Sequence, residues 1–232
     1  MDTRGWPSSA ATDEMAAESI PKAEEAVDRY RRLVETDADT YLPDLANALN
    51  TLALDLDRVG SSEQALSCLE EAVGHYRRLA ETTADTHLPG LATSLHNLAC
   101  MMRNGGRHEH ALAPAQEAVT IYRRLAETDP DTHLCFLASK LSHLAMALTD
   151  LGRHEHALAS AQEAVTFYRQ LAETDPDTHL YLLAVALNNL VIRLAEAERH
   201  EQALPPPGKP SRSTGDWPRP TRIATCPISP GR

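Results

Sequence analysis

The chain has 232 residues, a formal charge of −11, 42% hydrophobic residues and only 4% aromatics. The charge is unevenly placed: the segment from Pro205 onward carries +4, which leaves −15 on the rest, and a body that acidic repels phosphate backbones and argues against nucleic acid as a partner. No apolar run is seen to approach the roughly 18–20 residues of a membrane span, Met1 to Met15 holds no apolar signal-peptide centre, and Cys68, Cys100, Cys135 and Cys226 follow no metal or disulfide-framework spacing, so the expectation is a cytoplasmic protein with free thiols and no membrane partner.

In chain order, residues 1–18 show no periodicity and are expected to form a flexible lead-in. Ser19 is placed to cap a helix that takes Pro21 in its first turn and runs to about Glu35. Ala23, Ala26, Val27, Tyr30 and Leu33 lie at helical spacing along it. With no helix before it, 19–38 is predicted to be half of a two-helix unit. Full units follow at 39–84, 85–130 and 131–176. Each leading helix is expected to be capped by an Asp-Thr pair (Asp39-Thr40, Asp85-Thr86, Asp131-Thr132), with Pro43 and Pro89 in the first turn. Its apolar stripe is Leu49, Leu52, Ala53, Leu56 in the first unit, Leu95, Leu98, Ala99, Met102 in the second and Leu141, Leu144, Ala145, Leu148 in the third. Gly60, Gly106 and Gly152 are predicted to end these helices. Trailing helices follow, with Ala65, Leu69, Ala72 and Tyr76 inward in the first unit, and Asp129-Pro130 and Asp175-Pro176 block their continuation. Pro114, two turns into the second trailing helix, is expected to kink it at a cost of about 3 kcal/mol.

The last unit, 177–204, is incomplete. A leading helix is predicted over about His179–Glu198 and a trailing helix from Arg199, which Pro205-Pro206-Pro207-Gly208 then abolishes. The tail, 205–232, is Pro-rich and basic and is expected to be disordered. Without a trailing helix as cover, Leu187, Leu190 and Leu194 are expected to be partly exposed, which opens two alternatives: dimerisation through this uncapped helix, or a chain that is a truncated piece of a longer array.

The units repeat at a period of 46 residues. Gly106–Leu134 recurs as Gly152–Leu180 with three differences, and Glu-Ala-Val recurs at Glu25, Glu71, Glu117 and Glu163. A fixed period of this size marks a solenoid, in which each unit buries its apolar face on the next. The stripe, the glycine and the small residues at Ala53, Ala65, Ala72, then Ala99, Ala111, Ala118, then Ala145, Ala157, Ala164 resemble the tetratricopeptide repeat. The period is longer than the usual one, and Arg77, Arg123 and Arg169 stand where the short repeat carries its terminal Pro. This resembles the long-helix variety found in kinesin light chains and in the sensor arms of bacterial signalling ATPases.

The resemblance implies an all-α, right-handed α-α superhelical solenoid of antiparallel helix hairpins, acting as a scaffold that binds a protein or peptide in a concave groove. Position by position, the implied groove residues are Asn47, Asn50, Thr51, Leu54 and Arg58; then His96, Asn97, Cys100 and Arg103; then Ser142, His143, Met146 and Asp150; then Asn188, Asn189 and Ile192. Asn amides offer both donor and acceptor to a peptide backbone. The Arg residues do not reproduce the clamp that grips a terminal carboxylate in some relatives.

No metal site or cofactor is predicted. The pairs His108/His110 and His154/His156 sit at i, i+2 and do not share a helix face. His87, His133 and His179 recur through duplication, and zinc needs three or four convergent ligands. No phosphate loop, nucleophile elbow or His-Glu-x-x-His occurs, and acid pairs such as Glu70-Glu71 lie on helix surfaces, so no enzyme activity is expected.

Overall fold

A computed structural model describes residues 9–203, which fold into α1 (Ser9–Val34), α2 (Ala38–Arg58), α3 (Ser62–Thr82), α4 (Ala84–Asn104), α5 (His108–Thr128), α6 (Pro130–Asp150), α7 (His154–Thr174) and α8 (Pro176–Ala203). No strand occurs among the described residues. Each helix packs on the next in sequence, giving the α-α solenoid of hairpins that the 46-residue period predicts.

Two kinds of turn alternate, and different chemistry sets each. After α2, α4 and α6, a glycine takes a positive φ: Gly60 at +83°, Gly106 at +75° and Gly152 at +69°. The following residue donates back to the carbonyl five positions earlier, at 2.8 Å for Ser61 to Leu56, Arg107 to Met102 and Arg153 to Leu148. The glycine N–H bonds three positions back. These paired bonds satisfy two carbonyls that a helix end otherwise leaves free. The corresponding residue in the fourth unit is Glu198, which cannot adopt that backbone cheaply. The expected break and trailing helix from Arg199 are therefore absent, and α8 runs through to Ala203.

The turns after α3, α5 and α7 are tighter, a single extended residue ending one helix and preceding the next, while Glu35, Thr36 and Asp37 lie between α1 and α2. Asp129 is that residue between α5 and α6, at φ −141°, with its carboxylate accepting from the Thr132 N–H at 3.2 Å. Asp37 accepts from Thr40 at 3.2 Å and Asp175 from Thr178 at 3.3 Å. The capping Asp thus lies two residues before the Asp-Thr pair expected to cap, and Asp39 and Asp131 sit inside the first turn. Thr83 holds this place in α4 and makes no side-chain cap bond. Because the helices begin earlier, Pro43 and Pro89 lie beyond the first turn, inside α2 and α4. The Pro at the helix start is instead Pro130 in α6. α5 continues unbroken through Pro114. α1 begins at Ser9, so Ser19 is no cap; its hydroxyl donates to Asp55 at 2.5 Å.

The core is alanine and leucine. All nine small positions are buried, none more than 5% exposed, which lets neighbouring helix backbones cross closely. Leu49, Leu69, Leu95 and Leu141 fill the spaces between them. Tyr76, Tyr122 and Tyr168 are buried on the trailing helices, whereas Tyr30 and Met102 are only half-buried.

Outside the core, one ion pair repeats along the trailing helices: Arg31–Glu71 at 2.7 Å, Arg77–Glu117 at 2.7 Å and Arg123–Glu163 at 2.6 Å. The Arg that replaces the terminal Pro of the short repeat therefore ties its unit to the next. At the other end of the array, α8 leaves Tyr181 74%, Val191 63% and Leu180 55% exposed. Leu194 is exposed as expected, and Leu187 and Leu190 are half-buried. The stretch Pro176–Glu198, 23 residues, is long and apolar enough by length and composition to cross a membrane, contrary to the expectation that no run approaches that length. The tail 205–232, with Cys226, lies outside the described residues. Cys68, Cys100 and Cys135 are free thiols.

Candidate functional site

The leading helices α2, α4, α6 and α8 touch one another in series, whereas among the described residues no trailing helix comes that close to another. The trailing row is bridged instead by the long Arg–Glu pairs. An array packed more closely on one side curves toward that side, so the leading helices line the inner face.

The tyrosines support this face from below. Within each hairpin the hydroxyl reaches the same leading-helix position: Tyr76 donates to Asn47 Oδ1 at 2.6 Å, Tyr122 lies 3.1 Å from Thr93 Oγ1, and Tyr168 bonds the Ser139 side chain. Burial pushes the Tyr76 phenol up and that of Tyr168 up to about 12, so both remain protonated donors.

The expected groove residues do not share one environment. Asn47, Thr51, Leu54, Arg58, Asn188 and Ile192 are exposed. Asn50 is drawn between two helices: its Nδ2 donates to Ser94 Oγ at 2.6 Å and to the Ala46 carbonyl at 3.2 Å, and its buried Oδ1 has no hydrogen-bond partner. Asn97, Ser142, Met146 and Asn189 are half-buried, with the Ser142 hydroxyl bonded to the Ala138 carbonyl at 3.1 Å. The two arginines are already engaged, Arg58 by Asp55 at 2.9 Å and Arg103 by Asp150 at 3.4 Å, which removes them as a free carboxylate clamp.

One cluster is drawn together across helices. His96 and Cys100 lie one turn apart on α4, with Sγ 3.6 Å from His96 Nε2, and His143 on α6 meets the His96 ring edge-on at a centroid distance of 4.7 Å. His143 Nδ1 lies 2.8 Å from the Ser139 carbonyl. Burial, with Lys140 nearby, holds the His96 pKa down to about 3, and burial lowers that of His143 as well, so both rings are neutral at pH 7. Burial also raises the Cys100 thiol and lowers the Lys140 ammonium. No other group of three His, Cys, Asp or Glu ligands meets this closely among the described residues; the recurring His87, His133 and His179 and the two His-Glu-His turns belong to none.

Lys140 and Phe136 belong to this face but were not singled out in the sequence. Lys140 Nζ stands 5.9 Å from the centroid of the Tyr122 ring. Phe136 stacks on that ring at 5.8 Å and is 49% exposed. Both occupy positions that are small in the preceding unit: Ser94, which is fully buried, and Gly90, where a Cβ would collide with the Tyr76 ring. A small-to-large change between otherwise matching units was the available signal.

The tetratricopeptide repeat family model matches residues 91–131 and 137–177, two segments at the same 46-residue offset. A search of curated proteins finds no match. Among solved structures, one described as a kinesin light chain of Podosopora anserina with nearly identical TPR-like repeats has a TM-score of 0.55 at 18% identity, covering 84% of this chain and 89% of that one. A glutamine-to-methionine variant of it has a TM-score of 0.51 at 21% identity, covering 83% and 91%. At such identities the likeness is one of fold. Period, helix pairing and buried alanines agree with that match: residues 91–131 and 137–177 are similar to tetratricopeptide repeats, and the fold of the described chain is similar to that of the long-period, kinesin-light-chain-like repeat structures.

Proposed function

We propose that the protein is a non-enzymatic scaffold that binds a peptide or a segment of a partner protein along the inner face of α2, α4, α6 and α8. Repeats of this family suggest protein interaction in general. The supporting observation here is the leading-helix row itself: after packing, it leaves Asn47, Thr51 and Leu54 of α2 and Asn188 and Ile192 of α8 open on one face, interrupted by half-buried amides. Open Asn side chains serve peptide N–H and C=O groups, and Leu54, Phe136 and Ile192 provide apolar anchor points. A cytoplasmic setting, which would keep the thiols reduced, and a lack of nucleic-acid binding belong to the same proposal.

The test compares what is captured from a lysate by the native chain, by a Thr51→Ala/Leu54→Ala variant, and by an outer-face Arg77→Ala/Glu117→Ala variant. A partner lost only with the inner-face variant supports the groove. A capture profile unchanged by that variant removes it.

A second reading rests on α8, whose apolar side chains Leu180, Tyr181, Val185 and Val191 are uncovered. Pairing with α8 of a second copy would cover them, giving a homodimer. Light scattering over a concentration series distinguishes the two readings: a constant monomer mass rules out the dimer, and vesicle flotation of that monomer would assign the same helix to a membrane.

A further inference from the structure

We propose that His96, Cys100 and His143 form a binding site for a thiophilic d10 cation, Zn2+ or Cu+, where α4 meets α6. One donor atom from each residue lies within 4.8 Å of the other two. The Cys100 Sγ to His96 Nε2 distance is 3.6 Å. With metal–sulfur and metal–nitrogen bonds of about 2.3 and 2.05 Å at the tetrahedral angle, sulfur and nitrogen ligands stand about 3.5 Å apart. The pair on α4 is therefore already at ligand spacing. Thiolate with imidazole is a donor set that selects zinc or cuprous ion over the hard cations.

The surroundings suit a ligand set as well. The Ser139 carbonyl accepts from His143 Nδ1 at 2.8 Å, which fixes the tautomer and leaves Nε2 with the lone pair, the usual arrangement behind a metal-bound imidazole. Between the three residues lies a cavity of about 10 Å³, walled also by Ala99, Ala115 and Ala147, room for one ion or one water. Arg103, at the same cavity, is offset by Asp150. Lys140 remains as the one cation facing the site from α6, and it opposes Zn2+ more than Cu+. On loading, the Cys100 S–H bond gives way to an S–metal bond and the proton leaves to solvent.

Duplication does not account for the cluster. The counterparts of His96 are Asn50, Ser142 and Asn188; those of Cys100 are Leu54, Met146 and Ile192; those of His143 are Thr51, Asn97 and Asn189. The set occurs once, between two units whose trailing helices are nearly identical. It does not depend on whether the groove takes a partner.

The sibling residues also supply the controls. The reduced full chain, free of any affinity tag, is titrated with Zn2+ by calorimetry and, anaerobically, with Cu+ against a chromophoric chelator. Co2+ substitution then reports thiolate ligation by its charge-transfer band and geometry by its d–d bands. One ion per chain is expected, with a thiolate charge-transfer band. Cys100→Leu, His96→Ser and His143→Asn install residues that other units already tolerate at these positions. Each should weaken binding by more than about 100-fold, the upper effect of losing merely an outer-shell partner, with helical circular dichroism unchanged. His108→Gln/His110→Gln should bind as the native chain does. The ion that binds tightly identifies the cation. The proposal is overturned if neither ion binds stoichiometrically, if the thiolate band is absent, or if binding survives Cys100→Leu.

Discussion

The two rows of helices in this solenoid have diverged differently. The trailing helices α5 and α7 differ at only three positions, Pro114/Ser160, Ile121/Phe167 and Arg124/Gln170. The leading helices α4 and α6 share most of their buried leucines and alanines, Met101/Ala147 and Met102/Leu148 apart, but differ at most other positions, including Gly90/Phe136, Ser94/Lys140, His96/Ser142, Asn97/His143 and Cys100/Met146. A trailing helix must meet its own leading helix and the next one, and carry the Arg–Glu bridge on its outer side. Most of its surface is thereby constrained. A leading helix meets those constraints on its packed side alone, and the inner face is free to vary. In a repeat array, chemistry should therefore be sought where copies disagree, and architecture where they agree.

The shared positions should be costly to change. Leu141→Ala removes a fully buried side chain between units and is expected to cost about 2–5 kcal/mol, read from chemical denaturation. Ala118→Leu or Ala164→Leu overpacks a helix crossing, with an expected loss of about 1–3 kcal/mol. An unchanged melting midpoint in both would contradict the crossing. Thr51→Ala/Leu54→Ala, on the divergent face and clear of the Tyr76–Asn47 hydrogen bond, should shift the midpoint far less than either while abolishing partner capture, and a comparable loss of stability would erase the distinction between the rows. A double-mutant cycle on Arg123 and Glu163, both partly exposed, should return about 0.2–1 kcal/mol of coupling, decreasing with added salt.

The smallest expected effect concerns pH. Asp37, Asp129 and Asp175 are held below the ordinary carboxylate range by the side chain and then the backbone N–H of Thr40, Thr132 and Thr178. A carboxyl whose pKa is lower folded than unfolded stabilises the fold above its unfolded value, and this contribution disappears as pH falls through the folded one. Melting midpoints measured below pH 5 should therefore fall less steeply in Asp129→Asn, since Asn still caps but carries no titrating charge.

Much of the architecture was legible because it depends on residues acting locally. Gly60, Gly106 and Gly152 mark the left-handed turns, and the absence of glycine at Glu198 explains why α8 continues. The caps were misplaced by two residues because Asp37 and Asp39 are equally able to cap by type, and only the backbone angle at the junction distinguishes them. Pro43 and Pro89 followed that error. Among the site residues, His96, Cys100 and His143 were each placed on the groove side but not with one another. Sequence spacing shows that His96 and Cys100 share a face, yet it does not say which turn of α6 lies opposite.

From sequence alone came the period, the helix pairs and the buried alanines, since all follow from spacing along one helix and its recurrence in the next, whereas the choice of an inner face came from the resemblance to a family. The tertiary structure decided what meets across helices: the bridges from Arg31, Arg77 and Arg123, the tyrosine hydroxyls beneath the inner face, and the convergence of two imidazoles and a thiol. Those contacts depend on the offset and rotation between neighbouring helices. That offset is set by the fit of many side chains at once, so no single residue in the chain encodes it.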